Sequence, residues 1–177
     1  MNKTVNTIFL IGYMGAGKTV IGKSLSKKIN YKFYDLDNYI EIKEGKKISE
    51  IFKQKNEVYF RNIENKYLDH LSSINEKKII STGGGTPCFE NNLSIIQNST
   101  FSLSIYLKAN INTLVKRLKK STAKRPLISH LKDEDDLRDF LTKHLFERSF
   151  YYEKSDVKII TDDLETKDII KLICELI

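Results

Sequence analysis

The chain has 177 residues, of which 40% are hydrophobic, and a formal net charge of +7. This length suits one compact domain over residues 1–177 and leaves little room for a second independent core. No apolar run approaches the ~20 residues that a membrane span needs, and the N-terminus lacks the basic-then-apolar pattern of a secretory signal. These features argue against a membrane protein, and we expect a cytoplasmic protein with no membrane partner.

The distribution of charge bears on the kind of ligand. Basic residues are dispersed among Asp and Glu residues, so a solvated surface with an anion-binding cleft explains the charge better than a nucleic-acid-binding stripe. Of the 30 Lys and Arg residues only five are arginines, namely Arg61, Arg117, Arg125, Arg138 and Arg148. Arginine makes forked contacts with carboxylates and phosphates that lysine makes poorly, so these residues are candidates for ligand binding. The two cysteines are far apart and predict free thiols.

Apolar runs alternate with segments of helical period along the chain. Strands are predicted near residues 7–12, 32–35, 78–81, 101–107 and 157–161. Helices are predicted around residues 18–29, 57–72, 110–119, 134–147 and 165–177. Such alternation favours an α/β fold with a parallel sheet and helices on both faces. Two stretches interrupt it, and we interpret 37–72 as a substrate-binding insertion and the polar, basic 119–133 as a mobile lid.

The first predicted strand leads into a phosphate-binding loop. The run that follows it fits G-x-x-x-x-G-K-[ST] and reads Gly12-Tyr13-Met14-Gly15-Ala16-Gly17-Lys18-Thr19. In such a loop the backbone N–H groups surround phosphate oxygens, the lysine reaches the β- and γ-phosphates, and the hydroxyl faces Mg²⁺. The helix that begins there adds unpaired N–H groups and a partial positive charge. The chain is therefore predicted to bind a nucleoside triphosphate.

Two carboxylates follow the second predicted strand. Asp35 and Asp37 lie at the carboxyl edge of the sheet, where doubly wound proteins bind their ligands. One carboxylate can hold Mg²⁺ while the other accepts a hydroxyl proton during attack on the γ-phosphate. The alternative is that Asp37 only caps a helix that begins at Asn38.

A helix-period segment places three charged residues on one face. Glu57, Arg61 and Glu64 follow the i, i+4, i+7 spacing. They form either a surface ion-pair ladder or a site in which Glu64 orients Arg61 toward a substrate carboxylate or phosphate.

Glycines follow the third predicted strand. Gly83, Gly84 and Gly85 form a run at its carboxyl end, where bare backbone can approach a ligand and its N–H groups can bind hydroxyl or phosphate oxygens. A plain flexible turn is the alternative.

The other four arginines lie in the predicted lid or on the helices before and after it. Arg125 lies in the predicted lid, where it can neutralise phosphate charge in the transition state, and Arg117 lies on the helix before it. Arg148 lies near the end of a later helix, four residues before Tyr152. Arg138 lies among carboxylates and is assigned to a solvated face, and none of the three histidines is given a catalytic role.

These motifs in this order resemble the shikimate kinase family: G-x-x-x-x-G-K-T, Asp-x-Asp, Phe-Arg-x-x-Glu, Gly-Gly-Gly, Arg-Pro-Leu and an arginine four residues before a tyrosine. The resemblance spans residues from about 7 to about 160. It implies a P-loop nucleoside-monophosphate-kinase-like domain with a five-stranded parallel sheet in the order 2-3-1-4-5. It also implies transfer of the γ-phosphate of ATP to the 3-hydroxyl of shikimate, a step of chorismate and aromatic amino-acid biosynthesis.

The resemblance further implies a role for each matched residue. On the nucleotide side, Lys18 holds the phosphates together with Gly15, Ala16 and Gly17, while Thr19 and Asp35 serve Mg²⁺. In the same part of the site Arg125 reaches the phosphates from the lid and Arg117 packs on the adenine.

On the acceptor side, Asp37 binds the shikimate hydroxyls and is the candidate base, Arg61 and Arg148 clamp the carboxylate, and the backbone of Gly83–Gly85 lines the substrate. The residues expected to be catalytic are Asp37, Lys18 and Arg125. We expect a monomer that uses ATP, shikimate and Mg²⁺, without a nucleic-acid partner.

Other functions stay open on the sequence alone. Another P-loop kinase of small molecules, such as a gluconate or nucleoside monophosphate kinase, would share the loop, although a nucleotide acceptor needs a base-recognition pocket. A nucleic-acid-binding ATPase would explain the pI of 9.2 but needs a continuous basic stripe. A catalytically silent relative is the third alternative, yet every matched chemical position holds a competent residue.

Overall fold

A computed structural model provides the structure and describes residues 5–89, 91–119, 127–131 and 133–177. In chain order, the strands are β1 (Thr7–Ile11), β2 (Lys32–Asp35), β3 (Lys78–Ser81), β4 (Ser102–Lys108) and β5 (Val157–Ile160). The α-helices of the described residues are α1 (Lys18–Ile29), α2 (Leu36–Glu44), α3 (Ile48–Gln54), α4 (Glu57–Ser73), α5 (Asn92–Asn98), α6 (Ile111–Lys119), α7 (Glu134–Tyr152) and α8 (Thr166–Cys174). A 3₁₀ turn, Thr86–Cys88, follows β3.

The described strands form one parallel sheet in the order β2-β3-β1-β4-β5, which confirms the predicted order. All five residues of the central strand β1 are buried, as expected for a parallel sheet covered on both faces. Along β1 the side chains alternate between two cores, since Phe9 and Ile11 belong to one and Ile8 and Leu10 to the other. Both faces of the sheet are therefore covered.

Different helices contribute to the two cores. The first core contains buried residues from α2, α4, α6 and α7, including Ile40, Leu68, Leu114 and Leu141. The second core contains residues from α1 and α8, including Leu25 and Ile173. The sheet is thus held between two helical layers, and its strand ends form a rigid edge.

The register of the strands brings the predicted motifs to that edge. Ser81 pairs in register with both Leu10 of β1 and Asp35 of β2, so three strands end side by side. The phosphate-binding loop, the Asp-x-Asp pair and the glycine run therefore start at neighbouring points.

The structure refines parts of the sequence prediction, and other parts fall outside the described residues. The 37–72 stretch is helical and holds α2, α3 and α4, while α5 is a helix that periodicity did not predict. α7 continues to Tyr152, beyond the predicted end at residue 147, so Arg148 lies inside the helix, one turn before its end. Arg125 and most of the predicted lid at 119–133 lie outside the described residues. None of the described helices is long and apolar enough to cross a membrane.

Candidate active site

The loop between β1 and α1 folds around the side chain of Lys18. Its Nζ atom donates hydrogen bonds to the carbonyl oxygens of Gly12, at 2.7 Å, and Tyr13, at 3.1 Å. Gly15 and Gly17 have φ angles of 83° and 100°, which glycine adopts without strain. The buried ammonium thus lies at the N-terminus of α1, where backbone N–H groups and the helix dipole favour an anion.

Thr19 and Asp35 are hydrogen-bonded to each other beside this loop. The Thr19 hydroxyl donates a hydrogen bond to Asp35 Oδ2 at 2.7 Å. Asp35 Oδ1 accepts a hydrogen bond from the Asn38 N–H at 3.3 Å and caps α2. The capping role considered for Asp37 therefore belongs to Asp35, while Asp37 lies in the first turn of α2.

Asp37 lies in an environment that disfavours its charge. Burial first, and then the carboxylates of Asp35 and Glu64, raise the pKa of the Asp37 carboxyl from 3.8 to about 6, although Lys18 and Arg61 oppose the shift. The charges of Lys18, at the N-terminus of α1, and of Arg61, on α4, therefore both act on the Asp37 carboxyl. A carboxylate with a pKa near 6 is charged at neutral pH and accepts a proton more readily than an ordinary one.

Arg61 is held by two carboxylates of its own helix. Its Nε and Nη2 atoms donate to Glu57 Oε1 at 3.3 and 3.1 Å, and its Nη1 donates to Glu64 Oε2 at 2.8 Å. Glu64 is 1% exposed, whereas Glu57 is 56% exposed. The second oxygen of Glu64 accepts a hydrogen bond from the buried Thr86 hydroxyl at 2.6 Å. The face predicted from spacing is thus more than a surface ion-pair ladder, because Glu64 is buried and fully bonded.

The glycine run lies against these side chains. A Cβ atom at Gly83 would lie 2.8 Å from Asp37 Oδ1 and 3.3 Å from Glu64 Oε1, so any side chain there would clash with the carboxylates. At Gly85 a Cβ would lie 3.1 Å from both Nη atoms of Arg61. The close approach to Asp37 explains the glycine at position 83, and a side chain at Gly85 would press on the Arg61 guanidinium, so the segment is no plain flexible turn.

α7 brings three more residues to the same place. His144, Arg148 and Tyr152 follow each other at helical spacing of four. The His144 Nδ1 atom and the Tyr13 hydroxyl share a hydrogen bond of 3.1 Å, and the Arg148 guanidinium carbon lies 5.7 Å from the centre of the Tyr13 ring. The buried Tyr152 hydroxyl donates to the Gly84 carbonyl oxygen. Arg148 is therefore held between the phosphate-binding loop and the glycine run.

Arg117 lies on the other side of the loop. Its Nη1 atom donates to the Gly15 and Ala16 carbonyl oxygens at 3.3 and 3.4 Å, and its Nη2 donates to the Thr161 carbonyl oxygen at 3.0 Å. It lines an open cleft of about 460 Å³ together with Lys18, Thr19, Asp35, Asp37, Gly84 and Leu164. Arg138 lies outside this cleft, since it bonds Asn112 and Glu134.

The sequence of the whole chain is similar to one group of kinases. The model of the family described as Shikimate kinase matches residues 14–177. A shikimate kinase from Flavobacterium psychrophilum is 44% identical over 170 residues, which cover 96% of this chain and 98% of the relative. The chain belongs to the shikimate kinase family.

Solved structures of other family members resemble this fold. A shikimate kinase from Bacteroides thetaiotaomicron has a TM-score of 0.89 and 34% identity, covering 96% of this chain and 97% of that one. A shikimate kinase from Acinetobacter baumannii in complex with shikimate has a TM-score of 0.84 and 30% identity, covering 98% and 93% of the two chains. The P-loop, nucleoside-monophosphate-kinase-like fold is thereby confirmed.

Several residues of this family member's site were not predicted from the sequence. Thr86, Phe89 and Tyr13 are brought in by the turn after β3 and by the phosphate-binding loop, and no motif marked their contacts. His144 was given no catalytic role and remains without one. Its spacing of four from Arg148 and of eight from Tyr152 puts the three on one helix face only because α7 continues to Tyr152.

Proposed function

We propose that this protein transfers the γ-phosphate of ATP to the 3-hydroxyl of shikimate. One observation carries the proposal: Asp37 lies within the electrostatic reach of both Lys18, in the phosphate-binding loop, and Arg61, in α4. A hydroxyl beside Asp37 would therefore have a phosphate-binding group on one side and a carboxylate-binding group on the other. Membership of the family and the shikimate-bound structure from Acinetobacter baumannii support the choice of acceptor.

The phosphoryl transfer proceeds by in-line attack. The 3-hydroxyl oxygen of shikimate forms a bond to the γ-phosphorus, and the bond between that phosphorus and the β–γ bridging oxygen breaks, so that ADP leaves. The proton of the hydroxyl passes to the Asp37 carboxylate, whose raised pKa of about 6 makes it a better acceptor than an exposed aspartate. Lys18 and the backbone N–H groups of Gly15–Gly17 hold the phosphates.

Oxygen ligands suited to Mg²⁺ lie next to the phosphate site. Thr19 and Asp35 are already in contact through a 2.7 Å hydrogen bond, and Mg²⁺ is usually bound by a hydroxyl or one or two carboxylates together with substrate phosphates and waters. These two residues would hold the ion, which would neutralise charge on the β- and γ-phosphates.

The acid end of the acceptor is assigned to two arginines. Arg61 is bonded to Glu57 and Glu64, and Arg148 lies between Tyr13 and Tyr152, so both guanidinium groups have protein partners before substrate arrives. The backbone of Gly83, Gly84 and Gly85 then lines the other side of the acceptor. Fixed donors bind a carboxylate with a smaller loss of side-chain entropy.

The remaining assignments concern the nucleotide and the domain. We propose that Arg117 packs on the adenine, that Arg125 is catalytic and reaches the phosphates from a lid at 119–133, and that 37–72 binds the acceptor within a single kinase domain, 1–177. We also propose a cytoplasmic monomer without nucleic-acid or membrane partners. Free Cys88 and Cys174 and the dispersed charge support this assignment.

The test is ADP release in the presence of ATP and Mg²⁺ with a panel of acceptors. Shikimate is compared with gluconate, nucleoside monophosphates, single-stranded DNA and no acceptor. Release that depends on shikimate alone supports the proposal. Release with gluconate or a nucleoside monophosphate would assign the P-loop to another small-molecule kinase, and release that depends on DNA would favour a nucleic-acid-dependent ATPase.

A further inference from the structure

The guanidinium of Arg61 has a restricted set of free donors. Three of its five N–H groups bond to Glu57 and Glu64, through Nε, Nη2 and Nη1. Within the described part of the chain, the hydrogen bonds leave one N–H on each Nη atom for a ligand. These two N–H groups form a fork of the shape that a carboxylate accepts.

An aromatic ring covers one face of this guanidinium. The centre of the Phe89 ring lies 3.8 Å from the Arg61 guanidinium carbon, closer than the 5.1 Å of Phe60. Phe89 directly follows the 3₁₀ turn Thr86–Cys88, whose first residue bonds Glu64. The same short turn therefore fixes the carboxylate beside Arg61 and brings a ring over its plane.

We propose that Phe89 is a positioning residue that fixes the plane of Arg61 for recognition of the substrate carboxylate; this rests on the function proposed above. The two glutamates alone hold the edges of the guanidinium but leave it free to tilt about them. Stacking of Phe89 removes that freedom, because a cation and an aromatic face attract each other. The Nη fork then faces the space beside Gly85, where the absence of a side chain keeps it open.

Kinetics with two substrates separate positioning from simple packing. In Phe89→Leu the apolar volume remains and the ring is lost, so we expect KM for shikimate to rise about tenfold, with KM for ATP changed less than about twofold. Phe89→Tyr keeps the ring and is expected to stay within about twofold of the unsubstituted enzyme. Phe101→Leu is the matched control, because Phe101 is 59% exposed and lies just before β4, at the opposite edge of the sheet from the site.

The methyl ester of shikimate provides the decisive comparison. The ester has no carboxylate, so we expect Phe89→Leu and the unsubstituted enzyme to use it equally poorly. A tenfold penalty that is the same for acid and ester would show that Phe89 only supports the packing of the turn, and the proposal would be wrong. No penalty for the acid would overturn it as well.

Arginine side-chain NMR tests the stacking without any substrate. With only five arginines in the chain, ¹⁵N labelling of arginine yields few Nε–H signals, and Arg61→Lys identifies the one from Arg61. We expect the ring current of Phe89 to shift this signal upfield, and the shift to disappear in Phe89→Leu and persist in Phe89→Tyr. An unchanged signal in Phe89→Leu would overturn the stacking. If the unsubstituted enzyme does not bind shikimate while the signal behaves as expected, the proposed function fails and the stacking stands without its role in shikimate recognition.

Discussion

The surroundings of Asp37 determine how well its carboxylate can accept a proton. Its carboxyl lies beside Asp35 and Glu64, and burial is the main cause of its raised pKa. Lys18 and Arg61 reduce the shift, so the pKa is about 6 and the group is charged at neutral pH. Binding of anionic phosphates near Lys18 and of a carboxylate at Arg61 would weaken both of these favourable interactions and make Asp37 a stronger base in the complex.

The pH dependence of activity is the first prediction at this scale. We expect kcat/KM for shikimate to fall as the pH drops through about 6, because the free enzyme loses activity when Asp37 is protonated. Asp37→Asn should remove this acidic limb and lower kcat by about 10²- to 10⁴-fold. Steady-state rates between pH 5 and pH 8 provide the measurement, with the exposed Asp139→Asn as control. An acidic limb that persists in Asp37→Asn would assign the titration to another group.

The second prediction at this scale concerns the fork of Arg61. Arg61→Lys keeps the positive charge but cannot satisfy Glu57, Glu64 and a ligand together, so we expect the Kd for shikimate to rise about 10- to 100-fold with the Kd for ATP nearly unchanged. Arg138→Lys is the matched control, since Arg138 bonds Asn112 and Glu134 away from the cleft. Calorimetric titration measures both ligands. Equal shikimate affinity in Arg61→Lys and the unsubstituted enzyme would contradict the assignment of a carboxylate clamp.

At the scale of elements, α7 connects the two halves of the site. His144 contacts the phosphate-binding loop through Tyr13, and Tyr152 contacts the glycine run through Gly84. Burial and the nearby Arg148 charge both lower the pKa of His144, so its ring is neutral at physiological pH. A neutral imidazole next to Arg148 avoids electrostatic repulsion with its guanidinium. The position of α7 thus determines where Arg148 points.

Removal of one of these contacts is predicted to loosen the helix. Tyr13→Phe retains the ring beside Arg148 but loses the hydroxyl that bonds His144, so we expect a loss of about 1 kcal/mol in the free energy of unfolding. We also expect KM for shikimate to rise about two- to fivefold, because Arg148 is less firmly placed. Urea unfolding and steady-state kinetics measure the two effects. Tyr151→Phe, one residue before Tyr152 on α7, is the control; an equal effect there would mean that the Tyr13 hydroxyl has no special role.

The elements could be predicted where local pattern and tertiary packing agree. The five strands and the long helices follow from apolar periodicity, since a parallel sheet needs buried runs and its helices need one apolar face. The predicted helix ends at residue 147 and so stops short of the end of α7, because Glu147, Arg148 and Ser149 interrupt the apolar pattern. Periodicity also does not show the contact of Tyr152 with Gly84. α5 is not predicted because its seven residues are too few to show a helical period. Its buried Asn92 is satisfied by hydrogen bonds with Asn65 and Thr86.

In the candidate site, too, the sequence predicts residues within one motif but not contacts between distant elements. Asp35, Asp37, Arg61 and Glu64 could be named because their spacing within one loop or helix carries chemical meaning. The contact of Tyr13 with His144 joins positions 131 residues apart, and stacking of Phe89 on Arg61 joins two elements. Such contacts depend on how the helices dock on the sheet, which a single sequence does not specify.

At the scale of the whole molecule, the sheet lies between two helical layers, and several carboxylates lie close together at the carboxyl ends of its strands. Asp35 and Glu64 lie close enough to Asp37 to raise its pKa. Three carboxylates so close together repel one another, which costs folding free energy when no ligand is bound. The buried cores on both faces of the sheet provide the stability that offsets it. We therefore expect the charged Asp37 to lower the free energy of unfolding while serving the reaction, and a substitution of Asp37 can measure this cost.

The pH dependence of unfolding tests this expectation. The pKa of Asp37 is about 6 in the folded state and near its ordinary value of 3.8 in the unfolded chain, so between pH 4 and pH 6 the folded state binds more protons. The free energy of unfolding therefore decreases as the pH rises through this range, and the full cost is present above pH 6. Asp37→Asn should remove this cost and stabilise the inactive protein by about 1–2 kcal/mol at pH 7.5, with a smaller gain at pH 4.5. Urea unfolding at both pH values measures the difference, and Asp139→Asn should show none. Destabilisation by Asp37→Asn at pH 7.5 would mean that the carboxylate is held by favourable bonds, and the site would then be stable in its charged form without a ligand.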